Sequence, residues 1–170
     1  MDARARRGAL IVFGTAGGVF LADRFTKVWA EHSLAQHPID VISGVLTLRF
    51  TTNSGGAFSL GQSAPWFFAG ATLIVSALIV LTAFRVRSTL ASIALGLILG
   101  GALGNLADRA LRGPGLRGHV VDFIDLHWWP VFNLADSAVV IGAVLMAVSS
   151  FRLDRDHATL HDDEALGDDA

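Results

Sequence analysis

Residues 104–136, GNLADRALRGPGLRGHVVDFIDLHWWPVFNLAD, hold the polar residues around which the rest of the chain is arranged. The stretch contains four aspartates, three arginines and two asparagines between long apolar segments. Ionisable groups at the edge of lipid are costly unless they are paired, hydrated or functional. Asp122 follows the β-branched pair Val120 and Val121, and Asp136 opens the apolar run 137–151. We therefore predict that the surrounding helices serve to bring Asp122 and Asp136 together.

The composition indicates a membrane protein. Of the 170 residues, 52% are hydrophobic and only 16% are charged, which exceeds the usual hydrophobic content of a soluble domain of this size. We expect one membrane-embedded domain over residues 1–155, followed by a disordered, acidic cytoplasmic tail over residues 156–170. No basic stripe is present, so a nucleic-acid partner is not expected.

Cysteine and histidine usage excludes several kinds of site. The chain has no cysteine, which excludes disulfides, thiolate metal sites and a cysteine nucleophile. The six histidines are scattered and form no HExxH pair, so the usual ligands of a zinc protease are missing. The sequence accordingly predicts neither a metal nor a cofactor.

Four apolar segments, at residues 8–29, 64–84, 88–107 and 132–151, are each long enough to cross a bilayer. For the first of them, a signal peptide ending near Ala22 is the alternative interpretation. Glycines 96, 100 and 104 recur every four residues along one face of the third segment, which permits close helix contact. We predict an all-α integral membrane protein with four transmembrane helices.

A β-rich segment interrupts the helical pattern. Residues 38–62 are rich in Val, Ile, Thr and Phe and are broken by glycines, which predicts short strands or a small hairpin outside the bilayer. Within it, Asn53 followed by Ser54-Gly55-Gly56 is typical of a tight turn whose amide groups could approach a ligand. An ordinary turn is the other interpretation.

Arginine placement orients the four predicted spans. Both termini lie on one side, and the short basic clusters at residues 4–7, 85–87 and 152–155 indicate that this side is cytoplasmic. The polar residues near the other helix ends then meet at the outer face, and these are Asp23, Lys27, Asn53, Asn105, Arg109, Asp122, Asn133 and Asp136. This convergence favours a functional site. For Asp23 and Lys27, which share a helical face, an interfacial ion pair with Lys27 snorkelling to the headgroups is the alternative.

Five motifs in this order resemble the bacterial lipoprotein signal peptidase family, also called signal peptidase II. They are DRFTK (23–27), NSGGAF (53–58), GNLADR (104–109), VVDF (120–123) and FNLAD (132–136). The resemblance spans about residues 20–150. It implies a four-helix inner-membrane aspartic protease that cleaves prolipoproteins before a diacylglyceryl-modified cysteine. As partners we expect these substrates and membrane lipid, with the protein acting as a monomer. A β-rich extracytoplasmic cradle would hold the substrate.

Carried over residue by residue, the resemblance makes Asp122 and Asp136 the catalytic pair. It gives supporting roles to Asp23, Lys27, Asn53, Asn105, Arg109 and Asn133. Two links depart from the family's pattern: residues 110–120 look long and rich in glycine, and DLHWWPVF before Asn133 looks short. The second departure puts the way Asp122 faces Asp136 in question.

Two carboxylates sharing one proton can hydrolyse an amide, because the ionised one activates water and the protonated one polarises the carbonyl. We expect Asp136, at a helix start, to be the base, and Asp122, among apolar neighbours, to be the acid. Arg109 is expected to pair with a loop carboxylate or a lipid phosphate, and Asp108 to play a structural role, pairing with a loop arginine without clearly facing inward. The competing hypotheses are a small proton-coupled transporter and a non-catalytic membrane scaffold.

Overall fold

A computed structural model describes residues 3–54 and 65–167, and describes residues 65, 66, 68 and 152–167 through their backbone only. The helices are α1 (Ala3–Ser33), α2 (Pro65–Ala83), α3 (Thr89–Leu111) and α4 (Leu134–Gly167). The strands are β1 (Ile39–Ile42), β2 (Leu46–Asn53) and β3 (Val120–Asp125). The second half of the predicted NSGGAF turn, from Gly55 onward, and the end of the predicted β-rich segment lie outside the described residues.

Among the residues that the structure describes, three helices are long and apolar enough to cross a membrane: α1, α3 and residues Leu134–Phe151 of α4. Helix α2 contributes a shorter apolar stretch, Ala69–Ala83, within the part searched. The chain is thus a multi-pass, mostly helical protein with a small sheet, as predicted, and three of the four predicted spans correspond to candidate spans.

Helix ends differ from the predicted span ends. Helix α1 continues to Ser33, and α4 continues to Gly167 instead of ending near Phe151. The backbone of residues 156–167 is therefore helical in the structure, and the predicted domain limit at residue 155 and disordered acidic tail stay predictions. Hydropathy locates the apolar part of a helix, but polar residues with good helix propensity extend it further. No glycine or proline interrupts the sequence between Gly142 and Gly167.

Helix α3 is the centre of the bundle and packs against the other three helices. A Cβ added at Gly96 would lie 2.7 Å from the Val12 carbonyl oxygen of α1, and one at Gly100 would lie 2.7 Å from that of Ala16. The close helix contact predicted from the glycine spacing is confirmed. Around it, residues from three helices form an apolar core of Val12, Ala16, Ile79, Ala83 and Leu99.

The sheet combines the predicted β-rich segment with a distant strand. Strands β1 and β2 form the expected antiparallel pair, and β3 pairs with β2 on its other side, placing Asp122 opposite Thr51 and Val120 opposite Asn53. A second apolar cluster, which includes Ala30, Leu34 and Phe123, packs the sheet on the end of α1. The sheet therefore sits over one end of the helix bundle.

The two unusual links both fold back on the core. In the long link, the Gly118 amide donates to the Arg109 carbonyl at 3.0 Å, after a short 3-10 turn at Pro114–Leu116. In the short link, the Phe132 amide donates to the Ile124 carbonyl at 3.1 Å and the Ile124 amide donates back to the Phe132 carbonyl at 2.9 Å. This second pairing returns the chain alongside β3 and sets Asn133 beside Asp122.

Candidate active site

Asn133 and Asp136 form a reciprocal cap at the start of α4. Asn133 precedes Leu134, the first helical residue, and its Oδ1 accepts a hydrogen bond from the Asp136 amide at 2.9 Å. In return, Asp136 Oδ2 accepts a hydrogen bond from the Asn133 amide at 3.2 Å. This exchange satisfies two backbone N–H groups at the helix start, where the helix dipole also favours negative charge. The cap fixes the orientation of the Asp136 carboxylate.

Asp122, on β3, is more deeply buried than Asp136, and its exposed fraction is 2%. Asn133 Nδ2 donates to Asp122 Oδ1 at 2.7 Å, and the Asn53 side chain is a second hydrogen-bond partner. Burial and, next, the negative charge of Asp136 raise the pKa of Asp122 to about 7, against the lowering effect of the hydrogen bonds from the Asn133 and Asn53 amides. One carboxylate of the pair thus favours the protonated form near neutral pH.

Asn105 of α3 links the two carboxylates to α1. Its Nδ2 donates to Asp136 Oδ1 at 2.8 Å. Its Oδ1 accepts from Asn133 Nδ2 at 3.2 Å and from Lys27 Nζ at 2.8 Å. The asparagine side chains are neutral, so they orient both carboxylates without adding a charge that would favour ionisation of both.

Lys27 is fully buried on α1. Its ammonium group lies 2.8 Å from Asp23 Oδ2, 3.0 Å from Asp108 Oδ2 and 2.8 Å from Asn105 Oδ1. These three acceptors match the three N–H donors of a lysine. The alternative in which Lys27 snorkels to the headgroups is therefore wrong.

Two buried aspartates each hold the backbone one residue before a member of the candidate pair. Asp23 Oδ1 accepts from the Ala135 amide at 3.0 Å, next to Asp136. Asp108 Oδ2 accepts from the Val121 amide at 3.2 Å, next to Asp122. Lys27 bridges Asp23 and Asp108, so one cation connects the positions of both carboxylates.

Gly104 makes room for this arrangement. A Cβ at residue 104 would overlap Asp23 Oδ2 and would lie 3.4 Å from the Ala135 side chain. Gly104, the third of the glycines spaced four residues apart on α3, therefore leaves space for a carboxylate as well as allowing helix contact.

The structure confirms that Asp108 pairs with arginine, as predicted, but it does not confirm the predicted orientation of the Asp108 side chain. It is fully buried, and its Oδ1 accepts from Arg24 and, at 3.1 Å, from Arg112 Nε. Arg112 in turn makes a bidentate pair with Glu31, at 3.1 and 3.0 Å. The prediction that Asp108 does not clearly face inward is wrong, because Lys27 and Val121 approach it from the bundle interior.

Sequence reasoning missed Arg24, Glu31 and Arg112. The spacing of four between Asp108 and Arg112 was an available signal, since such residues share a helical face. Arg24 and Glu31 come from α1, about 80 residues away in sequence, and only the helix packing brings them here.

Arg109 is buried beside the candidate pair, and its pairing with a loop carboxylate or a lipid phosphate stays a prediction. Its exposed fraction is 8%, its Nη1 lies 3.5 Å from the Asn105 carbonyl, and its charge interacts with Asp136 and Asp122. The structure therefore brings together all eight residues singled out from the sequence.

Comparison with known proteins identifies the kind of protein to which this arrangement belongs. The sequence model of the family described as signal peptidase (SPase) II matches residues 15–152. A lipoprotein signal peptidase of Rhodococcus jostii (strain RHA1) is 42% identical over 145 residues, which cover 82% of this chain and 71% of that protein. One from Mycobacterium avium (strain 104) is 41% identical over 152 residues, covering 86% and 82%.

A solved structure of similar fold is described as a bacterial membrane enzyme. It superposes with a TM-score of 0.72 at 29% identity, over 83% of this chain and 87% of that one. A second such structure gives a TM-score of 0.69, also at 29% identity, over 81% and 90%.

Proposed function

Because the chain belongs to the signal peptidase II family, we propose that it cleaves diacylglyceryl-modified prolipoproteins before the lipidated cysteine, with Asp122 and Asp136 as its catalytic pair. As a member of this family it is a protease that removes the signal peptides of lipoproteins. The aspartic mechanism is supported chiefly by one observation, which is that Asn133 contacts both carboxylates while burial and the charge of Asp136 raise the pKa of Asp122 to about 7.

In the proposed mechanism the ionised Asp136 takes a proton from a water molecule, whose oxygen attacks the carbon of the scissile carbonyl. The protonated Asp122 hydrogen-bonds the carbonyl oxygen and transfers its proton as the tetrahedral intermediate forms. When the intermediate collapses, Asp136 returns a proton to the leaving nitrogen and Asp122 recovers its own. The amide bond is broken, water is consumed, and the pair again shares one proton.

The surrounding residues hold this geometry. Asn105 and Asn133 orient the carboxylates, and Asn53 hydrogen-bonds Asp122. The positive charge of Arg109 stabilises negative charge that develops during the reaction. Asp23 and Lys27 act one step further out, through the backbone of α4 and through Asn105. Their net effect is to limit the motion of the pair, which is what a mechanism based on positioning requires.

We further propose four transmembrane helices, with α2 as the fourth, both termini in the cytoplasm and the active site at the outer face of the inner membrane. The arginines at the start of α1 and in the 85–87 link support this orientation. The sheet and the candidate pair lie at the opposite end of the bundle from these arginines. The protein is proposed to act as a monomer. No relative reported above is a transporter, and nothing else favours that hypothesis.

The catalytic pair is tested by measuring cleavage of a purified diacylglyceryl-modified prolipoprotein. We expect Asp122→Asn and Asp136→Asn each to lower turnover by a factor on the order of 10² to 10⁴, with substrate binding retained. The double variant should be little worse, since residues acting as a unit are not additive. Asp125→Asn is the matched control, because Asp125 ends the same strand but pairs with Arg49, and its turnover should be near normal.

Near-normal turnover of either single variant, in protein shown to be folded and membrane-inserted, would overturn the pair. The lipid requirement is tested with the same precursor lacking the diacylglyceryl group. Two acyl chains anchor a substrate in the bilayer far more firmly than one, so we expect the unmodified precursor to be cleaved poorly. Equal rates for the two precursors would refute recognition of the lipid.

A further inference from the structure

An ion pair between α1 and the end of α3 adjoins the buried aspartates. Arg112 Nη1 donates to Glu31 Oε1 at 3.1 Å, and Arg112 Nη2 donates to Glu31 Oε2 at 3.0 Å. The third donor of the same guanidinium group, Nε, donates to Asp108 Oδ1 at 3.1 Å. The Arg112 side chain is 15% exposed and that of Glu31 is 41% exposed. Arg112 therefore connects a partly solvated carboxylate of α1 to a fully buried carboxylate of α3.

Arg112 is also the residue at which α3 ends. Its backbone amide donates to the Asp108 carbonyl at 2.9 Å, while its side chain donates to the carboxylate of the same aspartate. A guanidinium group is planar and its N–H groups have fixed directions. The bidentate bond to Glu31 thus fixes the plane from which Nε reaches Asp108. The ion pair therefore sets the orientation of the Asp108 carboxylate as well as adding positive charge beside it.

The Asp108 carboxylate in turn holds the backbone that leads into Asp122. Its second oxygen, Oδ2, accepts a hydrogen bond from the Val121 amide at 3.2 Å. The Val121 carbonyl accepts from Asn133 Nδ2 at 3.2 Å, and the same Nδ2 donates to Asp122 at 2.7 Å. If the Asp108 carboxylate rotated, the Val121 amide would lose its acceptor or move with it. Two hydrogen bonds and one peptide bond thus connect Arg112 to the Asp122 residue.

The long link between α3 and β3 begins and ends against the same turn of α3. The Gly118 amide donates to the Arg109 carbonyl at 3.0 Å, and a Cβ on Gly118 would lie 2.9 Å from the Asp108 carbonyl oxygen. A longer loop loses more conformational entropy when its ends are brought together, so fixed contacts at both ends limit its motion. At the start of the link, Arg112 supplies such a contact by binding Glu31 of α1.

Arg112 is not needed to neutralise the buried charge of Asp108. The Asp108 carboxylate also pairs with Lys27 at 3.0 Å and with Arg24. Glu31 is partly exposed and remains hydrated when it loses its partner, and exposed ion pairs contribute little to stability. Removal of Arg112 should therefore leave the fold intact and change the orientation of the Asp108 carboxylate.

We propose that Glu31 and Arg112 are positioning residues for Asp122, and that they act through Asp108 and the Val121 amide. This inference rests on the proposed function, because it gives the ion pair a part in the same reaction. A displacement of about 1 Å at a catalytic group can lower a rate by about two orders of magnitude. Since Lys27 and Arg24 still hold Asp108 in the absence of Arg112, the loss should be smaller, about tenfold.

The kinetic test measures kcat and KM with a diacylglyceryl-modified prolipoprotein. In Arg112→Gln we expect kcat to fall about tenfold and KM to change less than about twofold, because the substrate contacts remain. Glu31→Gln should lower kcat about threefold, since glutamine still accepts one of the two hydrogen bonds. The double variant should match Arg112→Gln, because the two residues act as a unit; a loss of about thirtyfold, the product of the single effects, would show independent roles and overturn the proposal.

Two further variants separate orientation from charge. Arg117→Gln is the matched control, because Arg117 is an exposed arginine of the same link and its removal takes away the same charge; its kcat should be near normal. Arg112→Lys keeps the positive charge but cannot bind Glu31 in bidentate fashion while donating to Asp108. Its kcat should stay within about twofold of that of Arg112→Gln. A kcat equal to that of the unchanged protein would show that charge alone is sufficient, which would refute positioning.

Amide hydrogen exchange tests the connection to β3 independently of catalysis. In the purified full-length protein, the Val121 amide should exchange roughly tenfold faster in Arg112→Gln than in Arg117→Gln, because its acceptor is less firmly held. Equal exchange in the two variants would refute the connection. The Tm of Arg112→Gln should fall by less than about 4 °C, and all rates are measured below it. Normal turnover of Asp122→Asn would remove the proposed function itself, whereas an inactive Asp122→Asn beside a fully active Arg112→Gln would refute only the positioning role.

Discussion

Replacing Asp122 by asparagine should remove activity and yet stabilise the protein at alkaline pH. Asp122 is 2% exposed, and burial and the nearby Asp136 raise its pKa from 3.8 to about 7. A carboxyl group whose pKa is raised by folding binds its proton more tightly in the folded state, so folding becomes less favourable when that proton is lost. Asparagine has the same shape, can accept the 2.7 Å hydrogen bond from Asn133, and is never charged.

The size of the effect depends on pH. Below about pH 4 the carboxyl group is protonated in both states, and the unchanged protein has no penalty from Asp122. Between about pH 4 and 7 the penalty grows, because only the unfolded chain has released the proton. Above pH 7 it is constant, and a pKa change from 3.8 to about 7 sets an upper limit of about 4 kcal/mol at 1.36 kcal/mol per pKa unit. Allowing for structural relaxation, we expect about 2 kcal/mol.

The assay is thermal unfolding of the purified protein in detergent at pH 5.5 and 8.5. For a chain of this size, about 2 kcal/mol corresponds to a rise of roughly 4–8 °C in Tm, and the rise for Asp122→Asn should be larger at pH 8.5 than at pH 5.5. Asp125→Asn provides the control on the same strand. The pKa of Asp125 is lowered by its hydrogen bond from Arg49. The free energy of unfolding of Asp125→Asn should therefore fall by about 1 kcal/mol or less, and its Tm should not rise at pH 8.5. A Tm of Asp122→Asn at or below that of the unchanged protein at pH 8.5 would refute the desolvation argument.

Three further predictions concern catalysis, structure and topology. The value of kcat/KM should fall about tenfold per pH unit above about pH 7, as Asp122 loses the proton it donates; a profile that stays flat to pH 9 would contradict its role as the acid. Asp108→Asn should destabilise the protein by about 3–5 kcal/mol, because it leaves the buried Lys27 with one carboxylate fewer. Turnover per folded molecule should fall far less than in Asp122→Asn. Loss of turnover in fully folded Asp108→Asn would contradict this. Reporter fusions at residue 86 and after residue 155 should report the cytoplasm, and fusions near residues 45 and 115 the outside; a cytoplasmic signal at 115 would disprove the four-span topology.

Local patterns in the sequence were sufficient to predict most of the site. Apolar segments of about 20 residues predict spans because the bilayer sets their length, and a glycine every fourth residue predicts a close helix face because the helical period is 3.6 residues. Asp23 and Lys27 share a face for the same reason. The four predicted spans would bring helix ends together at one membrane surface, which is why Asn105, Asp122 and Asp136 could be assigned to one site without knowledge of their contacts.

Tertiary structure alone decided which long-range partners meet. Strand β3 pairs with β2 across about 70 residues of sequence, and local propensity contains no information about that choice of partner. The burial of Asp108 follows from the approach of Lys27 and of the Val121 amide, neither of which helical periodicity could reveal. Helix ends were likewise unpredictable from hydropathy, because polar residues continue a helix beyond the apolar segment. The sequence therefore determined which polar residues lie at one end of the helix bundle, whereas packing determined which carboxylate accepts a hydrogen bond from which amide.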